Sequence, residues 1–515
     1  MHKTNRQNQL MSKKYDHFQD YLEWEILEPE QEITHLTFET GLYSLNKDCI
    51  IKFSRDNQFD LLATISGIID NGQQLEPNIE KVKGTFITSE TVTGYSKDGL
   101  FKYKLSGIVL GASNSTYISV SNPSVKFQAD LMVSKIEKIF IGYDTATDSI
   151  QEWYLTGKTE IHFPRSTSRG VDKSFKRLRD GTDPEDEFRL VKSSGSGRDH
   201  LVVKFSDTSF IVSKVPNEYG PDWSFSIAIE YRQSFGRIPN EEEREAISEL
   251  VSFVFGNQLL KIGQTSYDGS LSLSVQEYQN PWGDNVVSRC QRQGFPPVEI
   301  GNYHDWGRAE ILLNELISNY LIQRKPLRLK DALWKYWLAM YSSLGANLPI
   351  LSSAVETLAE QVLKNHPEIK HYYIEYHQFC ELIKDEIISV DTKLDTTING
   401  SYTREKKEAI KDSILRKIKG ASQRGSNEKL EMMFEIIKLP IDKIERKALK
   451  ARNKMAHSSL GEIGDEEIRE TIRLTRAYET LFNRMLLKIL SYNGQYKDYY
   501  TMGHPSRNID EPIPE

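Results

Sequence analysis

Residues 441–459 of the chain read IDKIERKALKARNKMAHSS and carry a helical pattern near its C-terminal end. Apolar residues recur there at three- and four-residue spacing, with one gap of two turns, at Ile441, Ile444, Ala448 and Met455. This periodicity predicts a helix over residues 441–457. The helix can begin at Pro440 or Asp442, and the spacing from Asp442 to Glu445 is that of a capping box.

Two side chains near the end of this predicted helix have complementary chemistry. The Arg452 guanidinium is a planar fork that binds phosphate, and the His457 imidazole takes or gives a proton near neutral pH. Together they suit cleavage of a phosphodiester without a metal ion, and in RNA the 2′-hydroxyl is the internal nucleophile. Positions five apart on an ideal helix diverge by roughly 140°. Joint action of the pair therefore needs the helix to end near His457, or a second copy of the segment opposite.

The stretch Arg452-Asn453-Lys454-Met455-Ala456-His457 resembles the R-N-x3-H signature of the HEPN superfamily, helical domains that include many metal-independent RNases of defence and toxin systems. With its long β-rich N-terminal half, the whole chain resembles an ApeA-type HEPN protein, a bacterial family of anti-phage abortive infection. Residues 75–86 are loosely similar to the opening of the ApeA N-terminal domain, which implies a sensor or regulatory role.

The resemblance implies functions for four residues. His457 acts as general acid or base, Arg452 holds the phosphate, and Asn453 orients His457 or the phosphate. Glu356 matches an acidic helix position that often lies beside the motif, where it can bond to Arg452. The competing interpretations are a structural histidine, a surface salt-bridge arginine, and an asparagine and a glutamate on solvated helix faces. Ser459 stands where some HEPN toxins carry a regulatory tyrosine, which argues against that regulation here.

Positive charge is concentrated around the motif. Residues 404–454 contain sixteen Lys and Arg against eight Asp and Glu, a local excess of 16 − 8 = +8 in a chain whose formal net charge is −7. Such a surface attracts a polyanion, and Lys447, Lys450 and Lys454 are candidate RNA contacts. The alternative is a set of solvated helix faces with alternating Glu and Lys.

Composition predicts a cytoplasmic protein without cofactors. The three cysteines are far apart and fit no disulfide or zinc pattern, and the polar N-terminal segment 1–30 lacks the apolar core of a signal peptide. We find no Walker or Rossmann glycine loop, and we assign no metal ligands and no membrane contact. The carboxylate-rich run 183–187 lacks calcium-loop spacing and is interpreted as a surface loop.

The predicted architecture is α+β. A β-rich, ApeA-like sensor region with antiparallel sheets spans 31–300, a HEPN helical bundle spans 308–492, and a tail spans 493–515, with the domain junction at 290–306. Strand-like runs are 49–53, 61–65, 105–109, 117–120, 271–275, a hairpin of 200–205 with 210–212, and 223–231 with one buried face. A helix at 240–255 interrupts them. Helical periodicity predicts 308–323, 329–344, 348–364, 372–390, 404–419, 427–438, 441–457 and 465–491.

The functional hypothesis is a metal-independent endoribonuclease that cleaves RNA by 2′-hydroxyl transesterification. By family analogy tRNA is the candidate substrate, a phage-derived trigger activates the enzyme, and a homodimer or higher homo-oligomer brings two motifs face to face. Two alternatives stay open. The bundle can be a catalytically silent module that binds RNA or nucleotides, or the chain can be an interaction scaffold.

Overall fold

The computed structural model describes residues 31–39, 49–56, 59–70, 90–117, 124–142, 147–157, 161–179, 182–215, 225–269, 272–281, 286–292, 294–301, 304–368, 373–398, 402–422, 424–457 and 464–515. The chain divides into two compact units, Met1–Ser318 and Asn319–Glu515. Strands dominate the first unit and helices the second, so the α+β prediction is confirmed. The predicted N-terminal segment 1–30 and the ApeA-like stretch 75–86 lie outside the described residues.

The first seven strands are β1 (Gln31–Phe38), β2 (Ile50–Arg55), β3 (Leu61–Asp70), β4 (Glu90–Ser96), β5 (Phe101–Tyr117), β6 (Ser124–Met132) and β7 (Lys135–Phe140). They pair in the order β4–β1–β2–β3–β6–β5, and β4 also pairs with β5, which closes a cycle of six antiparallel strands. Alternate residues of these strands form one apolar core that includes Ile51, Phe53, Val92 and Leu105. Of the strand predicted at 117–120, Tyr117 is the one residue within the described ranges, and it is the last residue of β5.

The same sheet continues from β7 through seven further strands. They are β8 (Ser149–Thr156), β9 (Arg165–Arg179), β10 (Thr182–Phe205), β11 (Thr208–Lys214), β12 (Phe225–Arg232), β13 (Leu260–Tyr267) and β14 (Leu273–Gln279). Their order is β7–β14–β13–β8–β12–β11–β10–β9. The predicted hairpin across Asp207 and Thr208 is confirmed, because β10 pairs with β11 up to Phe205 opposite Thr208. The carboxylate-rich run 183–187 belongs to β10, so its interpretation as a loop was wrong.

Helix α1 (Glu241–Phe255) is the helix predicted between the strands. Asn240 caps it, with its side chain and that of Glu243 each accepting a backbone N–H, as the run of three glutamates at its start suggests. Gly256 ends it in the left-handed conformation that glycine adopts without strain. A short 3₁₀ turn, Gln233–Phe235, precedes α1.

Strand β12 is buried on both faces, whereas the sequence predicted one buried face. Ala228, on the face predicted to be exposed, lies in an apolar cluster with Trp153 and Leu155. Val286 and Cys290 of helix α2 (Val286–Gln291) complete this cluster. The alternation of polar and apolar residues within β12 could not reveal this second buried face, because the helix that covers it is distant in the sequence.

The second unit is helical. The helices from the one that spans the unit boundary onward follow the predicted pattern. They are α3 (Arg308–Gln323), α4 (Leu329–Tyr341), α5 (Asn347–Lys364), α6 (Tyr376–Leu382), α7 (Lys384–Thr397), α8 (Arg404–Lys419), α9 (Ser426–Ile436), α10 (Lys443–His457) and α11 (Asp465–Ile489), with a 3₁₀ turn at Gly420–Ser422. The single helix predicted over 372–390 is two helices that meet at Ile383. The predicted core stripe of α5 is buried throughout, at Leu351, Val355, Leu358 and Val362.

Helix α3 contains the boundary between the two units, which lies C-terminal to the predicted junction at 290–306. The reason is its contact with strand β10. The Glu310 carboxylate accepts hydrogen bonds from the Val202 backbone at 2.8 Å and from Arg165 at 2.9 Å, and Asn314 accepts one from the Lys204 backbone at 2.8 Å. The first half of α3 therefore closes the open edge of the sheet.

Residues 493–515, predicted to be a tail, form a folded segment. Strands β15 (Gln495–Lys497) and β16 (Ser506–Asn508) pair, and Tyr496 and Ile513 are fully buried. The buried Asp498 carboxylate accepts a hydrogen bond from Arg507 at 2.8 Å and two more from the backbone of Tyr500 and Thr501. Three prolines suggested a tail, but these buried aromatic and charged groups fix the segment instead.

Candidate functional site

The site is built on helix α10, whose first turn is held by a buried carboxylate. Glu445 accepts a hydrogen bond from the Asp442 backbone at 2.9 Å, which is one half of the predicted capping box. The same carboxylate accepts the Ile513 backbone N–H at 3.0 Å and pairs with the Arg484 guanidinium of α11. Three parts of the second unit thus meet at Glu445.

The Glu445–Arg484 ion pair is completely buried. Burial raises the pKa of the Glu445 carboxyl, against the opposing effects of the Ile513 N–H and the Arg484 charge, and burial lowers the pKa of Arg484. Arg484 also donates to the Pro440 and Ile509 carbonyls and lies over the Tyr496 ring. A charge pair removed from water in this way is costly to break.

Apolar packing holds the rest of α10. Ala448 and Leu449 are buried, and the helix packs against α5 and α11. Helix α11 is the centre of the unit, because every residue from Ala477 to Leu487 is buried on all sides of the helix. The helix that carries the motif is therefore packed against two helices of the second unit.

Arg452, Asn453 and His457 lie in the last turns of α10. The backbone of α10 is described to His457, while the side chains of residues 452–457 and the whole of residues 458–463 lie outside the described part. In helical geometry Asn453 and His457 are one turn apart and share a face, whereas Arg452 is roughly 140° around the axis from His457. The helical placement of the motif is confirmed, and the convergence of its side chains stays a prediction.

Glu356 lies on α5, a helix that packs against α10. It is partly buried and stands beside the buried Val355 in the core stripe. This position fits both predicted interpretations, a partner of Arg452 and a glutamate beside a core stripe, so the role of Glu356 stays a prediction. Its predicted bond to Arg452 involves a side chain outside the described part.

Several of the cations that give residues 404–454 their positive excess take part in ion pairs. Lys411 pairs with Asp391 at 3.1 Å and with Asp395 at 2.9 Å, and Arg446 pairs with Glu431. Among the three lysines predicted to contact RNA, Lys447 is exposed and pairs with Glu470, and Lys450 is exposed. The side chain of Lys454 lies outside the described part. A phosphate at Lys447 would compete with the Glu470 carboxylate.

Sequence reasoning missed Arg484, although it positions the helix that carries the motif. Its signal was a charged residue inside the apolar stripe of the last helix, between Leu481 and Met485. A cation at such a position implies a buried counter-charge. The sequence did not show that the partner is Glu445, which is 39 residues away.

Comparison of the chain with family models, with curated proteins and with solved structures gave no match. The helices of the described ranges include none with the length and apolar content needed to cross a membrane. Within those same ranges, no three His, Cys, Asp or Glu side chains are grouped so that they could hold a metal ion.

Proposed function

We propose that this protein is a HEPN endoribonuclease of the ApeA type that cleaves RNA without a metal ion and acts in anti-phage abortive infection. The observation that carries the proposal is the motif Arg452-Asn453-x3-His457 on the last turns of α10. The buried Glu445–Arg484 pair and the packing against α5 support it, because catalysis requires a reactive pair on a rigid element.

The proposed reaction is an attack of the substrate 2′-hydroxyl on the adjacent phosphorus. His457 removes the hydroxyl proton or protonates the leaving 5′-oxygen, and Arg452 stabilises the charge on the phosphorane. The P–O5′ bond breaks, so the products are a 2′,3′-cyclic phosphate and a 5′-hydroxyl. Asn453, one turn from His457, orients the imidazole or the phosphate, and Glu356 orients Arg452.

The angle between Arg452 and His457 around one helix supports a site assembled from two chains. A two-fold axis near the end of α10 would bring Arg452 of one chain towards His457 of the other. We therefore propose a homodimer as the active form, in which the strand-rich unit senses a phage-derived trigger or restrains the nuclease.

The test is RNA cleavage by the purified full-length chain in EDTA, with tRNA as the first substrate. We expect cleavage by the unchanged protein and a loss of at least about 100-fold in His457→Ala and Arg452→Ala, because each removes a group that acts on the reacting phosphate. The matched control is His377→Ala, an exposed histidine on α6 that should leave the rate unchanged. A strict requirement for Mg²⁺ would refute the mechanism.

A further inference from the structure

Strands β9 and β10 form a two-stranded ribbon that extends beyond the rest of the sheet. Within the described residues, β11 pairs with β10 from His200 to Phe205, whereas β9 pairs with β10 from Arg165 opposite His200 to Arg179 opposite Thr182. The register is uninterrupted over nine pairs, from Arg169 opposite Ser194 to Arg177 opposite Asp186. At about 3.4 Å per residue these nine pairs span about 27 Å. We name this nine-pair section the arm.

The base of the ribbon is anchored to described side chains. Two nitrogens of Arg165 donate hydrogen bonds to the Glu310 carboxylate, each at 2.9 Å. Burial raises the pKa of this carboxyl, but the hydrogen bonds from Arg165 and the Val202 N–H outweigh burial, so the pKa lies below its ordinary value. Arg198 lies over the Trp306 ring, 4.5 Å from its centre. The ribbon therefore leaves the sheet from a fixed point.

The two faces of the arm differ in chemistry. Alternate positions of a strand share one face, and directly paired residues lie on the same face. One face, which we name face A, holds a pair of phenylalanines, Phe175 opposite Phe188. It also holds two further apolar residues, Val171 and Leu190. Its charged residues are four cations and one carboxylate, at Arg169, Lys173, Arg177, Lys192 and Asp186. The other, face B, holds a single apolar residue, two cations and two carboxylates, at Val191, Lys176, Arg189, Asp172 and Glu187.

Charge is also divided along the ribbon. Residues 165–179 and 188–198 contain nine Lys and Arg and one carboxylate, a net charge of 9 − 1 = +8. Residues 180–187 contain five carboxylates and no Lys or Arg, and two of these carboxylates, Asp186 and Glu187, lie opposite Arg177 and Lys176 in the arm. Over the whole of residues 165–198 the net charge is 9 − 6 = +3, in a chain whose formal net charge is −7.

We propose that face A of the arm binds single-stranded RNA. Aromatic residues on which bases stack, flanked by cations that contact the phosphates, are the elements that hold single strands without reading their sequence. An aromatic pair that only stabilised the ribbon would account for Phe175 and Phe188, but not for the excess of three cations on the same face. Single-stranded DNA offers the same bases and phosphates, and the choice of RNA rests on the proposed function.

The test is the affinity of a fluorescent, mixed-sequence, single-stranded RNA for the full-length His457→Ala chain in EDTA, where the RNA stays intact. We expect Lys173→Gln/Lys192→Gln to weaken binding at least about fivefold and to lower the slope of log affinity against log salt by about 1.4, since two phosphate contacts are lost. The matched control is Lys176→Gln/Arg189→Gln on face B, which removes the same charge and should change affinity less than about twofold. Equal effects of the two variants would overturn the proposal.

A second variant pair tests the stacking. Phe175→Ala/Phe188→Ala should weaken binding at least about fivefold, while Val191→Ala on face B should not. If the aromatic variant loses structure by circular dichroism, photocrosslinking of 4-thiouridine RNA to the otherwise unchanged arm replaces it. Crosslinks within residues 169–194 support the proposal, and crosslinks found only elsewhere overturn it. RNA binding at the arm without cleavage by the unchanged chain would refute the nuclease alone, whereas cleavage with no effect of the arm variants would refute the arm alone.

Discussion

Glu445 and Arg484 connect the helix that carries the motif to the centre of the second unit. The carboxylate holds the Asp442 and Ile513 backbone, and the guanidinium holds the Pro440 and Ile509 carbonyls. If one of the two residues were replaced by a neutral one, the charge of the other would be buried without a counter-charge. The pair therefore acts as a single structural element, although it takes no part in the proposed chemistry.

Glu445→Gln should destabilise the second unit by about 3 kcal/mol or more, because it leaves the Arg484 charge buried without a partner. The measurement is the midpoint of thermal unfolding followed by the helical circular dichroism signal. Lys443→Ala is the control, since Lys443 pairs with Glu515 at the solvent-exposed surface of the same helix. An equal shift for both variants would contradict this account of the buried pair.

Glu152 is the corresponding buried charge in the first unit. Burial by itself raises its pKa, but the charges of Lys261 and Arg244 and hydrogen bonds from Lys261 and Tyr154 outweigh burial, so the pKa lies below the ordinary 4.5. The folded state therefore binds fewer protons than the unfolded chain near that pH. The stability that Glu152 contributes is complete above pH 4.5 and is lost as the pH falls through the lowered pKa.

Glu152→Gln should accordingly cost about 3–5 kcal/mol near pH 7 and should reduce the further loss of stability on acidification. Both effects are measured by the midpoint of unfolding, followed through the spectroscopic signal of the strands, at pH values from neutral to acid. The exposed Glu315 provides the control variant Glu315→Gln, which should keep the pH profile of the unchanged protein. A Glu152→Gln profile parallel to that of the unchanged protein would show that the cluster does not control acid stability.

At the scale of elements, the positions of the helices could be predicted from the sequence better than the contacts between elements. Periodicity placed α3 and α8 at their observed ends, because an amphipathic helix repeats its apolar positions locally. The burial of both faces of β12 and the folded segment after Tyr492 were missed, since both depend on contacts between residues far apart in sequence. The same limit applies to the candidate site, where the sequence suggested Arg452 and His457 but did not reveal Arg484, which holds their helix.

The closed edge of β10 gives a prediction for one element. Glu310→Ala removes the acceptor of the Val202 N–H and the partner of Arg165, so the base of the ribbon should open more often. We expect exchange of the Val202 amide hydrogen to become at least about tenfold faster. Glu315→Ala, on the same helix but exposed, should leave that exchange rate unchanged. Unchanged exchange in Glu310→Ala would show that α3 does not protect the edge.

At the scale of the whole molecule, the proposed enzyme combines a sensing unit that holds RNA along an arm with a dimeric nuclease. If Arg452 and His457 act from different chains, a mixture of the inactive Arg452→Ala and His457→Ala proteins contains dimers with one intact pair. Random mixing should then restore about a quarter of the unchanged activity, because half of the dimers are mixed and each has one of two pairs. Activity that stays at the level of the separate variants would contradict a site shared between chains.

The chemical identity of the RNA ends produced in EDTA tests the central claim most directly. Transesterification by the 2′-hydroxyl, with His457 and Arg452 at the phosphate, predicts a 2′,3′-cyclic phosphate on one fragment and a 5′-hydroxyl on the other. Mass spectrometry of the fragments should find both ends with the unchanged chain and neither with His457→Ala. Fragments that carry a 5′-phosphate and a 3′-hydroxyl, or no cleavage until a divalent cation is added, would contradict it.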